Sequence, residues 1–385
     1  GVILNAALKY NPNFNDIGSW NTELTLFLDT DVLFSFAGYN GVLFKRLFDD
    51  FFTYVKEINT ISQRKQQKKL ISLRYFNEIE KEIIGYFYKA ESIVEQKDVL
   101  NPAKTAMKTI IDGCLSPSQV IEKKVKFFDL LEENDILKYQ DQKYFSEKNY
   151  SYNIEDQELI KHLSNTTSID DIELYVRYLN YINILRKNNN NVFFENAGFF
   201  LLTGNYAIKQ IANDQFIKQK GQIPLATSID FLTDRFWFKL NKGFSKDTNL
   251  KSFDVITKAQ IILSSLSNNS VAISFESLKN DAKSGKLKKE EAVKILASLR
   301  QRAKRPEEIN QKNINDVLND ISDNSLDNLI NETELLRTII HEKEIETKEL
   351  KDRLNKQDED IKRNEKNYEN QILEEKKKMK KQLKK

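Results

Sequence analysis

The chain has 385 residues, a length that allows two or three units. Hydrophobic residues make up 40% of it and include 24 Phe and 15 Tyr, which is ample for a packed core. The formal net charge is only +3, although 30% of the residues are charged. One Cys and two His exclude an intrachain disulfide and argue against a zinc cluster. No run of eighteen apolar residues occurs, so we expect no transmembrane helix and a cytoplasmic location.

The first predicted element is an apolar strand that begins at Leu24 and stops at carboxylates. Asp29 and Asp31 follow this strand directly, on either side of Thr30. Open α/β sheets bind ligands outside the carboxyl ends of their strands, so these acids fall where a metal ion would lie. The alternative is that Asp29 only caps the helix that starts near Val32, because Asp is a preferred N-cap residue.

Residues around 101–165 are predicted to insert helices into this first domain. Ser116-Pro117 is a favourable helix start, and the apolar residues from Val120 to Leu131 recur at helical spacing. Further on, the polar run 188–191 predicts a surface turn, which is followed by a predicted strand at Phe193-Phe194.

A second apolar run, Phe199 to Leu202, ends in Thr203, Gly204 and Asn205, so it repeats the design of the first. Both ends are expected to share one cleft. In this order, the two segments resemble those of PIN-domain ribonucleases. In that family one strand is followed by Asp-Thr-Asn/Asp-Val/Ile-Leu, and a later strand ends in Thr-x-Asp/Asn before a helix.

The resemblance implies further acids from two helices that lie between these strands. The segment 73–83 offers Glu78, with Glu82 as the second choice, and the segment 168–179 offers Asp171, with Asp170 as the second choice. Each has an ordinary alternative, because glutamates often lie on a solvated, ion-paired helix face and aspartates often cap helices.

The resemblance also implies a mechanism in which one or two Mg²⁺ or Mn²⁺ ions activate a water for in-line attack on phosphorus. Hard cations of this kind prefer oxygen ligands. The implied catalytic residues are Asp29, Glu78, Asp171 and Asn205, and the implied metal ligands are Asp29, Asp31, Glu78 and Asp171. The implied supporting residues are Thr30, Thr203, Asp170 and Glu82.

Asn205 departs from the commonest family pattern. Many members carry Asp there, and an amide binds a cation without neutralising its charge. This departure weakens the second metal position, and we expect Asn205 to orient water or another ligand.

An aromatic segment at 223–244 predicts a short strand followed by a capped helix. Its apolar residues, Phe231, Phe236, Trp237 and Leu240, favour a helix face buried against the sheet. Arg235 and Lys239 lie one turn apart and are the predicted nucleic-acid contacts, since cations neutralise phosphates.

The C-terminal third is poor in aromatic residues and is predicted to be helical. Residues 251–324 form a small helical extension that carries a basic cluster, which suits either a nucleic-acid backbone or a solvated helix end. This cluster consists of Arg300, Arg302, Lys304 and Arg305.

Residues 325–385 predict a coiled coil with a Lys-rich end, and therefore a homo-oligomer, a dimer or larger. Leu354, Ile361 and Tyr368 follow one another at sevenfold spacing. The alternate seam positions are polar, which leaves open a single solvated helix held by Glu/Lys pairs.

We therefore expect an α/β, PIN-like three-layer domain over 1–250, with a mostly parallel central sheet flanked by helices, ahead of the extension and the coiled coil. The expected activity is that of a metal-dependent endoribonuclease acting on single-stranded RNA or tRNA. Two alternatives stay open. One is a catalytically degenerate PIN-like interaction module scaffolded by the coiled coil, and the other is a structure-specific DNA nuclease resembling flap endonucleases.

Overall fold

A computed structural model describes residues 20–140, 147–166, 171–240, 255–287, 289–310 and 312–322. The chain divides into two compact units, one formed by 1–275 with 300–322 and the other by 276–299 with 323–385. Asp170 and the predicted coiled coil over 325–385 lie outside the described residues.

The first unit is built on a five-stranded sheet whose described pairings are all parallel. The strand order is β3-β2-β1-β4-β5, with β1 in the centre. The α/β class and the parallel sheet flanked by helices agree with the sequence prediction. The strands are β1 (Leu24–Leu28), β2 (Ile71–Tyr75), β3 (Ile136–Lys138), β4 (Phe199–Leu202) and β5 (Ala226–Thr227).

β1 is apolar along nearly its whole length because both of its faces are covered. Leu26, Phe27 and Leu28 are fully buried, and Leu26 is paired with Leu73 of β2 on one side and Phe200 of β4 on the other. The Phe27 ring stacks on Phe76, with 4.1 Å between the ring centroids. β1 therefore fixes the middle of the core and the point at which the chain reaches Asp29.

Helices connect and cover the strands, and none in the described part of the chain is both long and apolar enough to cross a membrane. Three-ten turns lie at Glu147–Tyr152, Phe194–Asn196 and Pro306–Glu308. The helices are α1 (Thr30–Phe36), α2 (Val42–Gln66), α3 (Asn77–Val94), α4 (Thr105–Ile111), α5 (Pro117–Glu133), α6 (Gln157–Thr166), α7 (Ile172–Arg186), α8 (Tyr206–Ala212), α9 (Ile229–Lys239), α10 (Val255–Lys283), α11 (Lys289–Arg302) and α12 (Ile314–Ser322).

Helices occupy much of the described part of 101–165, and the longest of them starts where the sequence predicts. α5 begins after Ser116, with Pro117 in the first turn and a capping box that pairs Ser116 with Gln119. Its apolar face buries Val120, Phe127 and Leu131. The spacing of those residues therefore corresponds to one buried helix face.

The predicted strand at Phe193-Phe194 is wrong, because this segment leads into the three-ten turn Phe194–Asn196. Phe194 stacks on Phe200 at a centroid distance of 4.3 Å and packs against Phe231, whereas Phe193 is 77% exposed. One aromatic ring is thus used in the core and the other is not, so no strand ladder forms here.

A buried arginine ties the start of β4 to the segment that leads into β5. Arg186 donates to the Phe199 carbonyl at 2.8 Å and to the Pro224 carbonyl at 3.0 Å, and its guanidinium lies over the Phe200 ring. Burial lowers the pKa of Arg186 to about 9. Its hydrogen bonds fix the relative position of two neighbouring strands.

Candidate active site

The sheet has a switch point between β1 and β4. The chain leaves β1 to build β2 and β3 on one side, and only later places β4 on the other side. Such switch points leave a crevice outside the carboxyl ends of the strands, where ligands bind. Asp29 follows β1 and Thr203 follows β4. The Asp29 amide donates to the Leu202 carbonyl at 3.0 Å, so the two ends lie side by side.

Asp29 is held by hydrogen bonds to both of its carboxylate oxygens. Oδ2 accepts from the Thr203 hydroxyl at 2.6 Å, and Oδ1 accepts from the Thr30 amide at 2.8 Å, which caps α1. The capping role and a role in the cleft are therefore compatible. Burial raises the pKa of Asp29 to about 7, with the charges of Glu82 and Asp31 adding to the rise and both hydrogen bonds opposing it.

Asp31 lies in the first turn of α1 and opens onto the cleft. Its Oδ1 accepts from the Asn40 amide at 2.8 Å, and the same Asn40 nitrogen donates to the Asp31 carbonyl at 2.9 Å. The cleft walls displace water and raise the pKa of Asp31, against the opposing hydrogen bond from Asn40 and the more distant charges of Lys209 and Lys104. A Cβ atom at Gly204 would lie 2.3 Å from Asp31 Oδ2, so any other residue here would displace the Asp31 carboxylate.

Helix α3 brings Glu82, not Glu78, towards Asp29. Glu82 Oε2 accepts from the Tyr178 hydroxyl at 3.2 Å, and Glu82 lines the same cleft as Asp29. The surrounding protein removes part of the water around Glu82, and this desolvation raises the pKa of Glu82 although its side chain is open to the cleft. The hydroxyls of Thr30 and Tyr178 oppose that rise. Glu78 lies one turn earlier, accepts from the Tyr181 hydroxyl at 2.8 Å and does not line this cleft.

Asp171 lies beside the cleft and does not line it. It is exposed, takes a left-handed conformation at the start of α7, and its carbonyl accepts from the Tyr175 amide at 3.1 Å. Its charge nevertheless contributes to the raised pKa of Glu82. The structure therefore places Asp171 near the carboxylates, with its side chain on the solvent side.

Both ends of the Asn205 side-chain amide are engaged by protein groups. Its Oδ1 accepts from the Ala207 amide at 2.9 Å and caps α8, and its Nδ2 donates to the Tyr175 hydroxyl at 3.2 Å. The Asn205 backbone amide also donates to Thr203 Oγ1 at 2.9 Å, which orients the hydroxyl that holds Asp29. Asn205 thus lines the cleft and supports the residues around it.

The cleft has a volume of about 400 Å³ and is lined by residues from seven separate segments of the first unit. A neighbouring cavity of about 330 Å³ shares Asp31, Gly204 and Ile261 with it, so open space continues on both sides of Asp31. Lys104 lines the first space and Lys209 the second. The polar groups that line the cleft and could take part in a reaction are Asp29, Asp31, Glu82, Asn205, Tyr175 and Lys104.

Three carboxylates share this region, and among the described residues none of them forms an ion pair with Lys or Arg. No group of three or more His, Cys, Asp or Glu within the described ranges is arranged to hold a metal ion together. Mg²⁺ usually keeps several waters and uses only one or two carboxylates. Asp31 and Glu82 are the two carboxylates open to the cleft, and their oxygens are donors of the type that Mg²⁺ and Mn²⁺ prefer.

Arg235 and Lys239, the predicted nucleic-acid contacts, both turn towards Glu195. Their exposed fractions are 8% and 9%; Arg235 forms an ion pair with Glu195, and Lys239 Nζ lies 3.4 Å from the same carboxylate. The apolar face of the same helix is buried, as predicted, through Phe236 and Trp237. Among the described residues, the cation that lines the cleft is instead Lys104, and the one that lines the neighbouring cavity is Lys209.

Sequence reasoning missed the tyrosines of α7 that contact the site. Tyr175 bonds to Asn205 and Tyr178 to Glu82. A spacing of three residues places two side chains on one helix face. This spacing, close after the predicted acid Asp171, is the sequence signal that points to them.

Comparison with known proteins adds no relative to this description. The chain matches no family model, no curated protein and no solved structure. Its function is therefore inferred from the residues of the cleft.

Proposed function

We propose that this chain is a metal-dependent endoribonuclease whose reaction takes place in the cleft between β1 and β4. The observation that carries the proposal is the convergence of Asp29, Asp31 and Glu82 without a paired base among the described residues. Burial raises the pKa of all three carboxyl groups, and at Asp29 repulsion from Glu82 and Asp31 raises it further. A bound Mg²⁺ or Mn²⁺ relieves this repulsion.

When bound, such an ion would supply an activated water and a contact to the scissile phosphate. The protein groups supply a fixed arrangement. Thr203 and the Thr30 amide hold the two oxygens of Asp29, and Asn40 holds Asp31. Side chains positioned in this way lose little freedom when a charged substrate binds, which favours reaction.

Nucleic acid as substrate is supported by the cations on either side of the acids. Lys104 and Lys209 line the two connected spaces, and each is placed to neutralise a phosphate. Space on both sides of Asp31 suits a strand that continues past the cleavage point, as an endonuclease requires. The choice of RNA comes from the resemblance of the Asp29 and Asn205 segments to PIN-domain ribonucleases, since the fold alone does not specify a substrate.

A non-catalytic interaction module is the second candidate, and Asn205 is the observation that favours it. Its amide is used to cap α8 and to contact Tyr175, which leaves a weaker set of charges than an aspartate would supply. Such a module has no need of a divalent cation. Affinity for Mn²⁺ therefore separates the two candidates.

The test is cleavage of a mixed RNA pool in Mn²⁺ and in EDTA by the wild type and four single variants. Asp29→Asn, Asp31→Asn and Glu82→Gln are expected to lose at least about a hundredfold in rate, the scale on which electrostatic groups at active sites act. Asp49→Asn is the matched control, because Asp49 is an exposed surface acid paired with Lys45. Glu78→Gln and Asp171→Asn, assayed in parallel, test whether the two other predicted ligands are needed for cleavage.

Three results have distinct meanings. Cleavage that needs Mn²⁺, fails in the three cleft variants and survives in Asp49→Asn supports the nuclease proposal. Absence of both cleavage and Mn²⁺ binding in a folded protein supports the interaction module. Cleavage of flap DNA but not of RNA would replace the proposed substrate with DNA.

A further inference from the structure

A smaller cavity elsewhere in the first unit is lined by several cations. Its volume is about 100 Å³, and it lies between the segments 100–108 and 300–308. Four of its lining residues are basic, and among its lining residues the only carboxylate is that of Glu308. The four cations are Lys108, Arg300, Lys304 and Arg305.

The described residues leave these cations without an acidic partner. Arg305 donates from Nη2 to Thr109 Oγ1 at 3.1 Å, while its Nε is buried and has no hydrogen-bond partner. Glu308 Oε2 accepts from the Arg305 backbone amide at 2.7 Å, so this carboxylate is used at the turn. A buried N–H without an acceptor costs free energy, and an anion in the cavity would supply one.

The backbone beside the cavity is held in place by α10. The Lys304 carbonyl accepts from the Ser264 hydroxyl at 2.7 Å and from Asn268 Nδ2 at 3.0 Å, and the Lys304 amide donates to Asn268 Oδ1 at 3.2 Å. The turn Pro306–Glu308 follows directly. Lys304 and Arg305 thus project from a fixed segment, so binding an anion there orders little additional chain.

We propose that this cavity binds a backbone phosphate of the nucleic-acid strand that occupies the neighbouring cleft. Guanidinium and ammonium groups are the donors that proteins use for phosphate. The cavity has room for a small tetrahedral anion. The inference rests on the proposed function for its source of phosphate.

The cavity and the acidic cleft are contiguous. Thr105 lines both of them, and Pro306, which lines the cleft, directly follows Arg305. Lys104 lines the cleft, and its sequence neighbours Pro102 and Thr105 line the cavity. A strand that leaves the cleft past Lys104 therefore meets the basic cavity next, and this contact fixes which phosphate reaches the carboxylates.

The test is binding of a fluorescent single-stranded RNA oligonucleotide in EDTA, where no cleavage occurs, followed by anisotropy over a range of salt. Lys108→Gln with Arg300→Gln is expected to weaken binding about tenfold, which corresponds to one charge-assisted hydrogen bond. The slope of log K against log salt should become shallower by about 0.7 for each phosphate that the variant no longer neutralises. Both side chains are exposed, so the fold should survive, and circular dichroism checks it.

Lys65→Gln is the matched control. Lys65 is exposed and ends α2 just before β2 begins, at the edge of the sheet opposite the cleft. Equal decreases in affinity for Lys65→Gln and for the double variant would overturn the proposal, because they would show general charge attraction. Unchanged binding in the double variant would overturn it as well.

Two further arms identify the source of the phosphate. Equal binding of RNA with a 5′-hydroxyl and a 5′-phosphate supports an internal backbone phosphate, whereas binding that needs the 5′-phosphate contradicts it. A second result to look for is that inorganic phosphate raises the Tm of the wild type but not of the double variant, while both bind RNA equally well. That result would show that the cavity binds a free anion and not the nucleic-acid strand. RNA binding that depends on Lys108 and Arg300 supports the cavity even if Mn²⁺ produces no cleavage, so failure of the two proposals is distinguishable.

Discussion

Asp29 has two roles that usually belong to different residues, one in capping a helix and one in the cleft. It caps α1 through its Oδ1 and faces a cleft of like charges, while it is only 5% exposed. Capping favours the charged carboxylate, whereas burial and the charges of Glu82 and Asp31 favour the neutral form, and burial has the larger effect. Without a cation, folding must therefore bring a poorly solvated carboxylate into the core.

The first prediction concerns pH. The folded pKa of Asp29 is about 7, above its ordinary value of 3.8, so the folded protein binds more protons than the unfolded chain between these values. Stability of the metal-free protein should therefore fall as pH rises from about 4 to 7, by a few kcal/mol at most. Differential scanning fluorimetry in EDTA is expected to show Tm decreasing over this range.

Asp29→Asn isolates this contribution, because the amide keeps the shape of the side chain and removes its charge. The variant should show a flatter decrease of Tm with pH than the wild type, and saturating Mn²⁺ should flatten the wild-type decrease. Identical pH profiles for variant and wild type would show that Asp29 is not the titrating group.

The second prediction concerns Asn205. Asn205→Asp should keep the cap of α8, since Asp and Asn cap helices equally well, and should add a negative charge to the cleft. Mn²⁺ is expected to bind several-fold more tightly, while Tm in EDTA falls. Asn205→Ala, which loses the cap, should cost about 1 kcal/mol of stability and serves as the comparison. Calorimetric titration with Mn²⁺ measures the affinity, and an unchanged affinity in Asn205→Asp would place the ion away from this residue.

At the scale of elements, the site depends on how closely the end of β4 approaches α1. Gly204 faces Asp31 at a distance that leaves no room for a Cβ atom, and Asn40 prevents the carboxylate from turning freely. The backbone of Gly204 is not in the left-handed region, so glycine matters here for the space it leaves to Asp31 and not for its conformation. The β4 to α8 connection therefore sets the position of a carboxylate on another element.

The third prediction follows from this contact. Gly204→Ala should displace the Asp31 carboxylate and lower both Mn²⁺ affinity and the cleavage rate at least about tenfold. A tenfold change corresponds to the free energy of one hydrogen bond to a charged group. Gly85→Ala is the control, because Gly85 lies within α3 with open space around it. That variant should gain about 0.5–1 kcal/mol of stability and keep its activity. Unaltered Mn²⁺ binding in Gly204→Ala would remove Asp31 from the proposed site.

Sequence reasoning identified β1 and β4 because each is an apolar run that ends abruptly in polar residues. It does not predict strand β2, because the pattern of 73–83 indicates a single acid-bearing motif. In the structure, residues up to Tyr75 belong to β2 and α3 begins at Asn77. The pairing of Leu26 with Leu73 decides this boundary, and such distant contacts leave no local pattern.

The choice between Glu78 and Glu82 was open for a related reason. They lie four residues apart on α3, so both share one helix face but are about 6 Å apart along its axis. Ile79, Ile83 and Phe87 fix the rotation of that helix against the core. Which glutamate reaches Asp29 then depends on where the helix starts relative to the sheet edge. The pairing of Arg235 with Glu195 was unpredictable in the same way, because 40 residues separate them.

For the whole molecule, assembly through the C-terminal segment stays a prediction of the sequence alone, since residues 325–385 lie outside the described part of the chain. A coiled coil with polar seam residues gains specificity at a cost in stability. Association should therefore be measurable and concentration-dependent.

The fourth prediction tests this association. The full chain should sediment as a dimer or a larger oligomer, and Leu354→Lys with Ile361→Lys, which places like charges in the predicted seam, should yield monomers. Sedimentation velocity at several concentrations measures the change. Glu359→Lys, at a position outside the seam that begins with Leu354 and Ile361, is the control and should leave the mass unchanged. A monomeric wild type would instead support a single solvated helix.

The hydrogen bond between Thr203 and Asp29 joins residues 174 positions apart. During synthesis, β1 and β2 emerge from the ribosome long before β4 exists, and in that interval Asp29 has neither its hydroxyl donor nor the wall of the cleft formed by Gly204 and Asn205. Pro306 also lines the cleft, which is therefore completed only when most of these 385 residues have been made. A nascent ribonuclease built in this order would be inactive while it remains closest to the ribosomal RNA that is making it.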